Sequence, residues 1–357
     1  MTGSGPADDD PTRGRGTGRG ARLSIPAPVL EQLEAHGLFV AGMLDAVEGK
    51  LHEQVASSHA FVDQAARYLI AAGGKRFRPL MVALTGHLGD PARPELVDAG
   101  AIVELVHLAT LYHDDVIDEA PARRGSPTAN SRWDNTVAIL TGDFLFARAA
   151  ELSADLGVEV TRIMAQTLAR LCEGEIAEVQ ASLGSLPPDV PKLEATISHY
   201  LEVVSGKTAS LIATSCRYGA LLSGVDPVGV EAAATYGWNV GMAFQLSDDI
   251  LDIAADHEDL GKLPGTDLRE GVRTLPLLYA LERDPGGELA QLLSGSLSDA
   301  EVVRALAILR DSDALARSRD AAAGYVAAAV DELRPFGDAP VARALTRLAQ
   351  YAVDRVG

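Results

Sequence analysis

"LVDAGAIVELVHLATLYHDDVID", residues 96–118, decides the fold and poses the chemical question at its end. Through His113 the apolar side chains fall on most sides of the helical period. A helix of that kind belongs in the centre of a bundle, not at its surface. Then three aspartates occupy five positions. On a helix Asp114 and Asp118 lie one turn apart on one face, with Asp115 beside them. Carboxylates that close repel one another, and a buried unpaired charge is costly, so the cluster calls for a cationic partner.

"YGWNVGMAFQLSDDILDIA", residues 236–254, repeats the arrangement with Asp248, Asp249 and Asp252. The likeness is too short to establish a duplication. Outside these stretches the pattern from about residue 24 is helical throughout, without sustained alternation. Its punctuation is short: "GDPARPE", "EAPARRGSPT", "GSLPPDVP", "SGVDP", "KLPGTDLREG" and "RDPGG". Sparse aromatics, 5% of residues, and abundant Ala and Leu favour helix over sheet. The expectation is one large all-α domain over residues 24–357, preceded by a disordered Gly-, Asp- and Arg-rich tail at 1–23. No apolar run is read as long enough to span a bilayer.

A formal net charge of −19 argues against nucleic acid, whose phosphates require a basic surface. An anionic ligand would need local basic clusters or metal ions. "GGKRFRP" supplies Lys75, Arg76 and Arg78, with Pro79 suited to the first turn of a helix, a setting that attracts phosphate. Arg123 and Arg124 follow the first acidic cluster. Lys207 and Thr208 stand in "SGKTASLIA", Gln245 precedes the second cluster and Lys262 follows it. His107 lies two turns before Asp114 on the same face. Carboxylates of this density suit hard cations. Mg2+ takes one or two carboxylates plus substrate phosphates, whereas the spacing lacks the loop signature of a calcium hand. "LEVVSGKT" has Leu201 where a P-loop needs its first Gly, and "HEQVA" and "HEDLG" lack the second His of a zinc-protease helix. Cys172 and Cys216, isolated in apolar helical stretches, read as buried thiols in a reducing, cytoplasmic setting.

In chain order stand "GGKRFRP", "HDDVIDEAPARRG", "TGDFLFA", "GKTASLIA", "FQLSDDILDI", "GKLPGTDLREG" and "TLPLL". This ordered set resembles the polyprenyl synthetase family of trans-isoprenyl diphosphate synthases, from about residue 24 to the C-terminus. The resemblance implies a helical bundle with a central substrate cavity, the isoprenoid synthase fold. It implies head-to-tail transfer of an allylic prenyl group to isopentenyl diphosphate with Mg2+ as cofactor. Asp114, Asp115, Asp118, Asp248 and Asp249 would hold Mg2+ on the allylic diphosphate, supported by Asp252. Arg123, Lys207, Gln245 and Lys262 would contact that diphosphate, and Lys75, Arg78, His107 and Arg124 that of isopentenyl diphosphate. Lys207, Thr208 and Gln245 are the catalytic candidates, with Thr208 and Gln245 near the reacting allylic carbon. A homodimer is implied, with no transmembrane segment and transient membrane contact for product release. The chain departs from the pattern at Val272, where the family often has Lys, with Arg273 next, and at Glu178, where many members carry Gln.

Short-chain members resemble one another in placing large aromatics four or five positions before the first Asp. Here stand Thr110 and Ala109, with Val106 and Val103 further back, and Ser153 and Ala154 are also small. Each turn back is ~5.4 Å of depth, so the expected product is long-chain, with Ala109, Thr110 and Val106 setting its length. Replacing Ala109 by Phe or Tyr is expected to shorten it. The alternatives are a farnesyl or geranylgeranyl diphosphate synthase, a class I terpene cyclase, or a non-catalytic partner subunit. A cyclase does not need "GGKRFRP", and a partner subunit usually loses the acidic motifs.

Overall fold

The computed structural model describes residues 33, 37–123, 125–181, 196–254, 264–295 and 297–356. The expected tail, Arg124 and Lys262 lie outside them. Helices α1 (Ala41–Gln54), α2 (Ala60–Ala71), α3 (Phe77–Gly86) and α4 (Glu95–Ile117) come first. A two-residue ribbon, β1 (Ala122–Arg123) with β2 (Ser126–Pro127), leads to α5 (Ala129–Arg132), α6 (Asn135–Asp155) and α7 (Val158–Ala181). Then follow α8 (Ile197–Val204), a π-turn (Ser205–Ala209), α9 (Ser210–Leu222), α10 (Pro227–Ala254) and α11 (Thr266–Glu270). The chain closes with α12 (Leu275–Arg283), α13 (Glu288–Leu292), α14 (Asp299–Asp311), α15 (Ala314–Glu332), a 3-10 turn (Arg334–Phe336) and α16 (Pro340–Asp354).

The two helices that read as apolar on most sides are the central ones. α4 packs on α6, α3, α1 and α9, and α10 packs on α9, α15 and α16. Ile102, Leu105, Leu108 and Tyr112 of α4 are fully buried, each large apolar side chain contributing about 1.5–3 kcal/mol. Tyr112 keeps its hydroxyl satisfied in that core by donating to the Ala65 carbonyl (2.6 Å) and accepting from the Leu69 amide (3.2 Å). Helix starts are fixed locally: Asp134 accepts from the Val137 amide, and Thr196 from the His199 amide.

Two expectations need correction. α4 has the length and hydropathy to cross a bilayer, but 72% of its apolar window is buried inside the protein, where it serves as core. Cys216 is buried as expected, whereas Cys172 is exposed, because its face of α7 turns outward.

Candidate active site

Both acidic clusters sit at the C-terminal ends of their helices, α4 and α10. There the peptide dipoles present negative charge, so the backbone adds to the repulsion. Burial pushes the Asp114 carboxyl up to about 7, although Lys207 and Arg123 pull it down. Asp118, the C-cap of α4, is likewise raised by partial burial. Asp115 is fully buried and accepts a 2.6 Å hydrogen bond from Arg123 Nε. The β-ribbon makes that contact possible by turning the chain back at Gly125, whose φ of +76° suits glycine.

In the second cluster Asp249 is buried and accepts from the Tyr200 hydroxyl and from Gln245 Nε2 (2.8 Å). Its carboxyl is raised by burial, against the pull of those two donors. Thr208 donates in turn to Gln245 Oε1 (2.9 Å), which fixes the amide's orientation. Asp248 is ion-paired with Arg355, just beyond α16. Asp252 accepts from the Asp267 amide (3.1 Å) and so anchors the first turn of α11.

Lys207 joins the clusters. It lies in the π-turn, which approaches α7 through two glycines. A Cβ on Gly206 would stand 2.9 Å from the Gly174 Cα and from the Arg170 carbonyl oxygen. This closeness delivers the ammonium to Glu175 (3.0 Å) and Glu178. Burial opposes the charge on Lys207, but Glu178, Glu175 and Asp114 outweigh it and raise its pKa. The resulting cleft of about 230 Å³ includes Asp118, Lys207, Thr208, Gln245 and Asp249 in its lining. Val272 and Arg273 line it too, so Arg273 borders the same space as Lys207.

The basic loop divides differently from its sequence reading. Lys75 is exposed, and the negative charges of Glu104 and Asp114 act on Arg78 in the first turn of α3. Arg76 is set apart: it is 5% exposed and bound to Glu48 and Glu104. His107 is half-buried on the face of α4 that carries Asp114.

Beneath the first cluster, Val103 and Val106 line a closely packed apolar seam with Met164, Leu211 and Tyr218, too tight to admit a water molecule. Thr110 continues that helix face toward Asp114 and bonds its hydroxyl to the His107 carbonyl. Ala109 differs. It is fully buried on the face of His113, whose ring is where a Cβ on Gly142 of α6 would fall. Ala109 thus packs toward α6, while Val106 and Val103 line the apolar seam. Ser153 is buried, while Ala154 is exposed and has no part in the seam.

Glu175, Tyr200, Arg355 and Glu104 escaped the sequence reading. Only Glu104 carried a usable signal, a carboxylate inside the apolar run "AIVELVHL". Among the described residues no three His, Cys, Asp or Glu side chains gather closely enough to form a metal cage. Paired hard carboxylates, poorly neutralised by the protein at Asp114 and Asp249, still suit a divalent cation that draws its other ligands from phosphate and water.

The sequence matches the family described as polyprenyl synthetase over residues 59–309. It is 47% identical over 295 residues to the nonaprenyl diphosphate synthase of Mycobacterium tuberculosis, covering 81% of this chain and 85% of that one. A decaprenyl diphosphate synthase from Rhodobacter capsulatus has the same fold, with TM-score 0.82 and 34% identity over 92% of this chain and 100% of that one. A polyprenyl synthase from Caulobacter crescentus, solved with calcium and isoprenyl diphosphate, gives TM-score 0.80 and 36% identity over 92% and 97%.

Proposed function

The chain belongs to the polyprenyl synthetase family, and from that premise we propose that it is a prenyltransferase condensing isopentenyl diphosphate head-to-tail with an allylic prenyl diphosphate. The observation that carries this reading is the convergence of two helix-end aspartate clusters on one cleft, with Lys207 held between Glu175 and Glu178.

Asp114, Asp115, Asp118, Asp248 and Asp249 would hold Mg2+, with Asp252 in support. When bound, Mg2+ supplies Lewis acidity and orients the departing diphosphate. The protein's own groups do the rest. Lys207 and Arg123 stand where charge grows on that leaving group, a placement worth more in a desolvated cleft than in water. The oxygens of Thr208 and Gln245 lie beside them to face the allylic cation as the carbon–oxygen bond breaks. The double bond of isopentenyl diphosphate, held by Lys75, Arg78 and His107, then forms the new carbon–carbon bond, and a proton passes to the released diphosphate. Apolar walls below keep water from the cation. Arg273 supports the diphosphate in place of the lysine missing at Val272.

We read the product as long-chain. The nonaprenyl relative at 47% identity supports this length, against 38% for a dimethylallyltranstransferase, and so do the small side chains, without a ring, from Thr110 through Val106 to Val103. The working form in this proposal is a homodimer, supported by exposed Ile139 and Leu140 on α6 and Ile176 on α7. Free Cys172 and Cys216 support a cytoplasmic setting. The test incubates purified protein with Mg2+, isopentenyl diphosphate and a series of allylic primers, then sizes the dephosphorylated products. Absence of elongation with every primer overturns the assignment.

A further inference from the structure

Glu104 is 3% exposed, in the middle of α4, and its position has no direct part in the chemistry above. Its Oε1 accepts from Arg76 Nη1 (2.9 Å). The same guanidinium bonds Glu48 of α1 through Nε (2.8 Å) and Nη2 (3.1 Å), and its Nη2 reaches the Ile70 carbonyl (3.4 Å). Arg76 therefore ties α1, α3 and α4 together from a buried position. Its backbone is left-handed, φ +47° and ψ +37°, a conformation that an arginine adopts only when its surroundings enforce it. That reversal falls between Lys75 and Arg78.

Arg78 completes the picture. Its Nε is buried and has no hydrogen-bond partner among the described residues. Burial pushes its pKa down to about 10, while the charges of Glu104 and Asp114 hold it up. Glu104 thus bonds Arg76 at the start of α3, and its charge acts on Arg78 in the first turn of that helix. Asp114 stands ten residues further along the same helix, roughly 15 Å away. A rigid helix carrying both carboxylates fixes the loop relative to the acidic cluster.

We propose that Glu104 is a positioning residue for isopentenyl diphosphate: bonded to Arg76, which stands between Lys75 and Arg78 at the start of α3, it sets the spacing between the two diphosphate sites. The inference rests on the function proposed above. A merely structural role would lower stability without singling out one substrate. The test is steady-state kinetics of Glu104→Gln with each substrate varied in turn. The KM for isopentenyl diphosphate rises about tenfold or more, while the KM for the allylic primer stays within about twofold. Glu104→Asp recovers part of the loss. Should Glu104→Gln fail to fold, Glu48→Gln loosens Arg76 from the opposite side and raises the same KM selectively. Unchanged KM for isopentenyl diphosphate, or an equal rise for both substrates, overturns the proposal. Lack of elongation by the wild-type protein instead overturns the underlying function.

Discussion

Replacing Val106 by Phe tests whether product length is set on the face of α4 below the aspartates. Val106 lies eight residues before Asp114, about 12 Å along the helix, and lines the apolar seam there. An extended chain advances ~1.2 Å per bond, so an isoprene unit of four bonds covers ~5 Å. A ring at Val106 then stops growth after about two or three units, and one at Val103, about 4.5 Å deeper, allows about one unit more. The seam is already closely packed, so overpacking costs about 1–3 kcal/mol, seen as a Tm lower by several degrees. Chain lengths come from chromatography of dephosphorylated products at matched turnover. Wild-type lengths from both variants, or a shorter product from Val103→Phe than from Val106→Phe, refute the reasoning.

Tyr200→Phe removes a hydrogen bond to the buried Asp249, a charge-assisted contact of roughly 1.5–3 kcal/mol, so half-maximal activity requires about tenfold more Mg2+ or greater. Gly206→Ala forces a methyl against the backbone of α7, displaces Lys207, and lowers both kcat and Tm, by about 1–3 kcal/mol of stability. The raised Asp114 carboxyl gives a signed pH effect. Because its folded pKa of about 7 exceeds the unfolded value of 3.8, its contribution to stability is fully present below about 4 and is lost as pH rises through 7. Metal-free protein should lose Tm across that window, and Mg2+ should restore it most strongly above pH 7, where no proton competes. Differential scanning fluorimetry with EDTA or Mg2+ reads both.

By itself the sequence determined the helical bundle, since the apolar runs of α4 and α10 admit no exposed face. It also determined that cations bind there, because aspartates at helical spacing inside such runs need them whatever the fold around them, and the ordered motifs pointed to the reaction through their resemblance to a family. Local chemistry of that kind is written into neighbouring residues. What only the tertiary structure decided depends on residues far apart in the chain. Arg76, read beside Lys75 and Arg78, is drawn into the core because Glu48 and Glu104 from two other helices meet there. Lys207 finds Glu175 because Gly174 and Gly206 let two backbones touch. Ala109 and Val106 are both small and differ only in the wall each faces, α6 or the seam. A helix's own period cannot say which neighbour covers which side, and that placement is what puts Val106, not Ala109, on the proposed path of the growing chain.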